Sequence, residues 1–168
     1  AYSHSNDISK ESLRKSSENL KDTLKSKKGT YNHEIPKTNS KYYENINPIE
    51  SKTFDSKIDL LNSVNNYLRS KGSIVNQVTA NFLGEHKSIE IIRSDNQVLK
   101  DDRPLVRFNV SVVLEKDGKK ETGVYGVGGR QSYDDYLKDG SWKDVCDEAF
   151  RIANVNLESK PAPAGEMK

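Results

Sequence analysis

Cysteine occurs once, at Cys146, and tryptophan and methionine also occur once each. One cysteine excludes an internal disulfide framework and any zinc knuckle built from several thiolates. No apolar run approaches the roughly 18 residues that a membrane helix needs. Charge of one sign is missing as well: 27 basic residues face 25 acidic ones, a net of +2. That near balance argues against a strongly basic nucleic-acid module and against an acidic tail. The chain opens on Ala1 with no basic-then-apolar segment, so it reads as a cut or processed chain without a visible address. Core-forming residues are scarce. Leu, Ile, Val and Phe make up 38 of 168 residues, just above the roughly 20% at which chains stop folding. Of these, 8 fall in residues 1–57 and 30 in residues 58–157, so the packed core is expected in the second stretch. The domain reading follows: 1–57 a weakly anchored helix and loop, 58–158 a helix, a β-meander and a helix, and 159–168 a linker.

Leu13, Ser17, Leu20 and Leu24 step by 4, 3 and 4 and predict a helix over 9–27, stopped near Gly29. Pro36, Pro48 and many polar residues make 30–52 an irregular connection. A second helix is expected over 54–70, capped by Thr53 and ended by Gly72. Its face is drawn through Ile58, Leu61, Asn65 and Leu68, widened by Leu60 and Val64. From Ser73 the period changes to two. Strands are expected over 75–82, 86–93, 104–116 and 119–128, with Ser94-Asp95-Asn96-Gln97 as one turn and Asp117-Gly118 as a hairpin. A strand over 98–103 extends the turn before Pro104. Val106, Phe108, Val110 and Val112 point one way, and Arg107, Asn109, Ser111 and Val113 the other. A helical turn at 133–138 and a helix over 142–157, capped by Ser141, complete the chain. The fold class is α+β: a mostly antiparallel sheet packed with about three helices.

Each constellation that could carry chemistry has a plainer reading. His33-Glu34 resembles part of a zinc-peptidase helix, but Pro36 would break that helix and the second histidine one turn on is missing. His4 and His86 read as exposed loop histidines. Cys146 lies beside Val145 and Ala149 on a helix and reads as a buried small hydrophobe. Tyr31, Tyr42 and Tyr43 mix with Lys27, Lys28, Lys37 and Lys41 as in single-strand nucleic-acid grooves, yet Glu34, Glu44 and Glu50 dilute the charge. Asp101-Asp102 and Asp134-Asp135 read as turn and helix-start residues, not as an acid–base pair. Gly123, Gly126, Gly128 and Gly129 followed by Arg130 stand out. An anion cradle would need a helix starting directly after the glycines, and 130–132 do not look like one. Two readings stay open: an edge that another backbone can approach closely because no Cβ blocks it, and a bulged, twisted strand end. Gly126, Gly128, Gly129 and Arg130 are the candidate peptide- or partner-binding residues. No catalytic residue and no metal ligand emerges.

Three segments together resemble one family. Arg103-Pro104-Leu105-Val106-Arg107-Phe108-Asn109-Val110-Ser111-Val112 looks like the central strand of the TldD/PmbA zinc metalloproteases, also labelled modulators of DNA gyrase. Gly123-Val124-Tyr125-Gly126-Val127-Gly128-Gly129-Arg130 resembles the next strand. Val155-Asn156-Leu157 and Pro161-Ala162-Pro163-Ala164-Gly165-Glu166-Met167 resemble the junction into the catalytic domain, and Ala1-Tyr2-Ser3-His4 the end of an earlier strand. Val127 departs from the family's unbroken glycine run. The likeness is closer to the TldD branch and covers essentially the whole chain.

The resemblance implies the N-terminal region of a cytoplasmic peptidase whose zinc helix, with a His-Glu-x-x-x-His signature, would follow the Pro-Ala-Gly junction. No cofactor is therefore expected in this portion, zinc is expected in the catalytic domain beyond it, and no ligand or general base is carried over to any residue here. It also implies work on unfolded peptide substrates, a cleft shaped by this region, and a PmbA-like partner subunit, with self-association through a raw sheet edge as the other possibility. The rival readings are a stand-alone interaction module and, with less support, a nucleic-acid binder.

Overall fold

The computed structural model describes residues 2–24, 43, 46–92, 98–138 and 140–165. The chain divides into two compact units, 1–40 and 41–168. In the first, helix α1 spans Lys10–Leu24. Ser9 starts it: its hydroxyl oxygen accepts the Ser12 N–H at 3.2 Å, while Asp7 Oδ1 accepts the Ser9 N–H at 2.9 Å, supplying two of the partners that a helix start lacks. Ser12, Ser16 and Leu20 are half-buried and Leu13 is exposed, so the face is rotated from the one drawn through Leu13 and Ser17. The stop at Gly29 lies outside the described residues, as do Pro36, the turn 94–97 and the His33-Glu34 pair.

The second unit holds α2 (Phe54–Arg69), β1 (Val75–Ile92), β2 (Val98–Lys116), β3 (Lys119–Gly129), a single turn α3 (Asp134–Leu137) and α4 (Ser141–Glu158). The three strands form one antiparallel sheet in the order β1-β2-β3. With its helices this is an α+β fold. Helices α2 and α4 pack on one face. Val106, Phe108, Val110, Val112 and Leu114 of β2 are fully buried, alternating with partly or fully exposed neighbours, as a sheet with one covered face requires. Val64 and Leu68 of α2 and Val145, Cys146, Ala149 and Ala153 of α4 complete the core.

Several expectations are corrected. The strands 75–82 and 86–93 are one strand, β1, which runs through Gly84. That glycine marks a close approach: a Cβ there would fall 2.2 Å from the Tyr133 hydroxyl. The strand at 98–103 is continuous with 104–116 as β2, which places Asp101 and Asp102 opposite Ile89 and Ser88, not in a turn. Pro104 is tolerated because β3 ends opposite Val106, so the N–H it lacks faces no strand. The buried side of α2 runs through Leu60, Val64 and Leu68 and leaves Ile58 exposed. Thr53 does cap α2, accepting the Ser56 N–H at 3.3 Å. Ser141 does not cap α4. Gly140 takes that position with φ 89°, and Ser141 is the first helical residue, its hydroxyl 3.2 Å from the carbonyls of Asp135, Tyr136 and Lys138.

Two polar clamps hold the layers. Lys119 donates to the carbonyls of Asn156, Leu157 and Ser159 at 2.9, 3.0 and 3.2 Å. A cation thus sits on the negative end of α4. Between α2 and α4, Tyr67 donates to Asp147 at 2.9 Å and Lys71 pairs with the same carboxylate at 2.5 Å. Trp142 meets the Tyr67 ring edge-on, with 5.4 Å between centroids.

Candidate functional site

The Asp117-Gly118 turn fixes the chemistry of strand β3. Both residues have positive φ, 52° and 80°, as a two-residue type I′ hairpin demands. In such a hairpin the flanking Lys116 and Lys119 exchange main-chain hydrogen bonds, and the antiparallel alternation sets the rest. Residues 121, 123, 125, 127 and 129 then bond to β2, while residues 120, 122, 124, 126 and 128 turn their N–H and C=O groups outward. Two observations agree. The Glu115 N–H points the other way, to the Ile74 carbonyl at 2.8 Å, and the outward Thr122 carbonyl accepts from Asn156 Nδ2 at 3.2 Å.

Among the described residues, no strand pairs with the outer edge of β3. Val124, Gly126 and Gly128 therefore present a row of main-chain donors and acceptors. The four candidate residues separate in role. Gly126 and Gly128 belong to the outward row. Gly129 lies opposite Val106 and turns inward. Arg130 follows the strand, its guanidinium 5.2 Å from the centroid of the Tyr43 ring, close enough for cation–π attraction. One residue of the lysine–tyrosine stretch, Tyr43, thus meets Arg130 just past the strand, while Tyr31, Tyr42, Lys27, Lys28, Lys37 and Lys41 lie outside the described residues.

The glycines also have reasons inside the sheet. A Cβ on Gly126 would sit 2.2 Å from Asn109 Oδ1, and one on Gly128 would sit 2.7 Å from the Val106 carbonyl oxygen. Gly123 faces α4: a Cβ there would come within 2.0 Å of the Ala149 carbonyl oxygen. The composition of this strand is thus set partly by packing. Sequence reasoning missed Val124, whose outward groups follow from counting alternation back to the turn. It also missed Arg107 and Asn109, which lie opposite Gly128 and Gly126 on the uncovered sheet face.

Among the described residues, no group of three or more His, Cys, Asp or Glu side chains could hold a metal ion. Cys146 is fully buried, and burial pushes its thiol up to about 12, which keeps it protonated and a poor ligand or nucleophile. His86 is a strand residue opposite Pro104, not a loop histidine, and its buried Nε2 has no hydrogen-bond partner among the described residues. Asp134 begins α3, and its carboxyl is held below the ordinary carboxylate range, chiefly by Lys52 at 2.6 Å. No described helix is long and apolar enough to cross a membrane.

An α+β module with one covered sheet face and, among the described residues, two unpaired strand edges, the outer sides of β1 and β3, is therefore what the chain presents. Comparison with known proteins then places it. The family model described as "PmbA/TldA metallopeptidase central domain" matches residues 47–157, and the chain belongs to that family. It is 34% identical over 171 residues to a metalloprotease TldD homolog of Buchnera aphidicola subsp. Acyrthosiphon pisum, an alignment covering 98% of this chain and 35% of that protein. A metalloprotease TldD homolog of Haemophilus influenzae is 40% identical over 129 residues, covering 74% of this chain and 27% of that protein. The chain thus spans about a third of the length of the curated relatives it matches. The family model describes the matched stretch as a central domain, whereas the sequence reading placed it in the N-terminal region.

Proposed function

We propose that this chain is a non-catalytic portion of a TldD-like zinc metalloprotease, where it shapes the substrate cleft and holds extended peptide along the outer edge of β3. The observation that carries the reading is the outward row of main-chain groups at Val124, Gly126 and Gly128, on a strand with no described outer neighbour. Strand addition suits unfolded substrates, because main-chain hydrogen bonds supply affinity without demanding a sequence. The described side chains do not fit a zinc site, so the metal and the hydrolytic step are assigned to residues beyond this portion. A PmbA-like subunit is the proposed partner, and the cytoplasm the proposed location.

Val124→Pro tests the edge. It removes one outward N–H and leaves the bonds to β2 intact, a change that edge strands accept. Binding of a labelled ten-residue unstructured peptide to the chain, followed by fluorescence anisotropy, should weaken about three- to tenfold, as expected for one net hydrogen bond. Unchanged affinity in a folded variant would sink the reading. If Val124→Pro unfolds, the same comparison runs on wild-type chain with the peptide N-methylated at alternate residues. N-methylation in one register should then abolish binding, and equal tolerance in both registers counts against the edge.

A further inference from the structure

The open face beside this edge carries Arg107, a cation that no carboxylate neutralises among the described residues. Arg107 is exposed, and its Nε donates to Asn109 Oδ1 at 2.8 Å. Asn109 in turn donates through Nδ2 to Asn81 Oδ1 at 3.1 Å. This ladder of amides across β1 and β2 holds the arginine in place. Among the described residues, its Nη groups make no hydrogen bond and no ion pair. The other strand arginine described, Arg103, pairs with Asp101 at 2.5 Å, and Arg151 of α4 pairs with Glu148 at 2.7 Å. Arg130, just past the strand, likewise has no ion pair among the described residues and stacks on Tyr43.

We infer that Arg107 makes the β3 edge selective for extended peptides bearing an acidic side chain; this rests on the edge reading above. A strand added beside β3 lies one spacing, about 4.8 Å, farther out. Its residues opposite Gly126 and Gly128 point alternate side chains onto the open face. There β3 offers only bare glycine, while Asn109 and Arg107 stand directly behind. A glutamate reaching inward over the glycines meets the Arg107 guanidinium, whose two Nη groups accept a carboxylate in a fork. Over Gly126 lies the Asn109 amide that holds the arginine, so the absent side chain at 126 makes room for that support, and the absent side chain at 128 leaves Arg107 itself within reach of the incoming carboxylate.

Three labelled ten-residue peptides test this, alternating threonine with glutamate, glutamine or lysine, with binding to the chain read by fluorescence anisotropy at low salt. The glutamate peptide should bind about three- to fivefold tighter than its glutamine counterpart, the scale of a partly exposed ion pair. The margin should shrink at high salt. Arg107→Gln should erase the margin between the glutamate and glutamine peptides, and Arg107→Glu should shift preference to the lysine peptide. Equal binding of the glutamate and glutamine peptides to wild-type chain overturns the role of Arg107 and leaves the edge standing. Failure of all three peptides to bind overturns the edge itself. Oligothymidine binding as tightly as the glutamate peptide, with the same Arg107 dependence, overturns a peptide as the occupant.

Discussion

A glycine in a strand can be there for a visitor or for its neighbours, and the positions in β3 differ in which. At Gly123 the neighbour is main chain: an added Cβ would lie 2.0 Å from the Ala149 carbonyl oxygen and 2.5 Å from the Ala153 nitrogen. Neither atom can rotate away, so α4 itself would have to move. At Gly129 the nearest atom is Gln131 Oε1 at 3.3 Å, the end of a flexible side chain. Gly123→Ala should therefore cost about 1–3 kcal/mol, the scale of overpacking. Gly129→Ala should cost well under about 1 kcal/mol. Urea unfolding of both variants measures the contrast, and equal losses would show that α4 does not bear on Gly123 as described. The sequence shows four glycines in seven residues and makes them look like one feature. Only the register separates the helix contact at 123 from the outward row at 126 and 128, because register depends on the turn and not on composition.

At the scale of elements, the joint between α2 and α4 is partly electrostatic. Burial raises the Asp147 carboxyl, but hydrogen bonds from Lys71 and Tyr67 outweigh it, and the net shift is downward from 3.8. A carboxyl with a depressed folded pKa stabilises the fold above its unfolded pKa and loses that stabilisation as pH falls through the folded value. Asp147 is about half exposed, at 49%, and Lys71 less so, at 23%, so the pair is worth about 0.5–1 kcal/mol. Asp147→Asn should lower the stability of the chain by that amount at pH 7, and the gap should begin to shrink below about pH 4 and go on closing as pH falls through the lowered folded pKa. Thermal unfolding of both proteins from about pH 2 to 7 tests it; a gap that stays constant over the whole range would assign the loss to packing instead. Much at this scale was legible beforehand. The Thr53 cap, the Asp117-Gly118 turn and the alternation of β2 all follow from local chemistry. The misreadings also share a cause. Gly84 and Pro104 look like breaks, and Ser141 looks like a cap, because each normally is one. Here the pairing of β1 with β2 carries the strand through Gly84, the early end of β3 excuses Pro104, and Gly140 takes the cap.

For the whole molecule, the free edge of β3 and the weak net charge act together. An unpaired strand edge is a template for another chain, and natural proteins blunt such edges with charge. Val124, Gly126 and Gly128 supply none, and the net charge of +2 adds little long-range repulsion. What the sequence could reveal here was limited: the glycine cluster pointed to an edge, but that Arg107 has no ion pair among the described residues is visible only in the structure. If the edge holds peptide as proposed, two copies of the chain should compete for the same groups. Sedimentation velocity should then show association that grows with concentration, and the glutamate peptide should reverse it. Val124→Pro should weaken association and peptide binding together. A wild-type chain that stays monomeric at millimolar concentration while still binding peptide would mean that the edge is shielded from long strands and open only to short ones. Association that persists undiminished in Val124→Pro would locate the contact elsewhere, with the exposed Ile91, Ile92 and Val98 at the far end of the β1–β2 hairpin as the next surface to change.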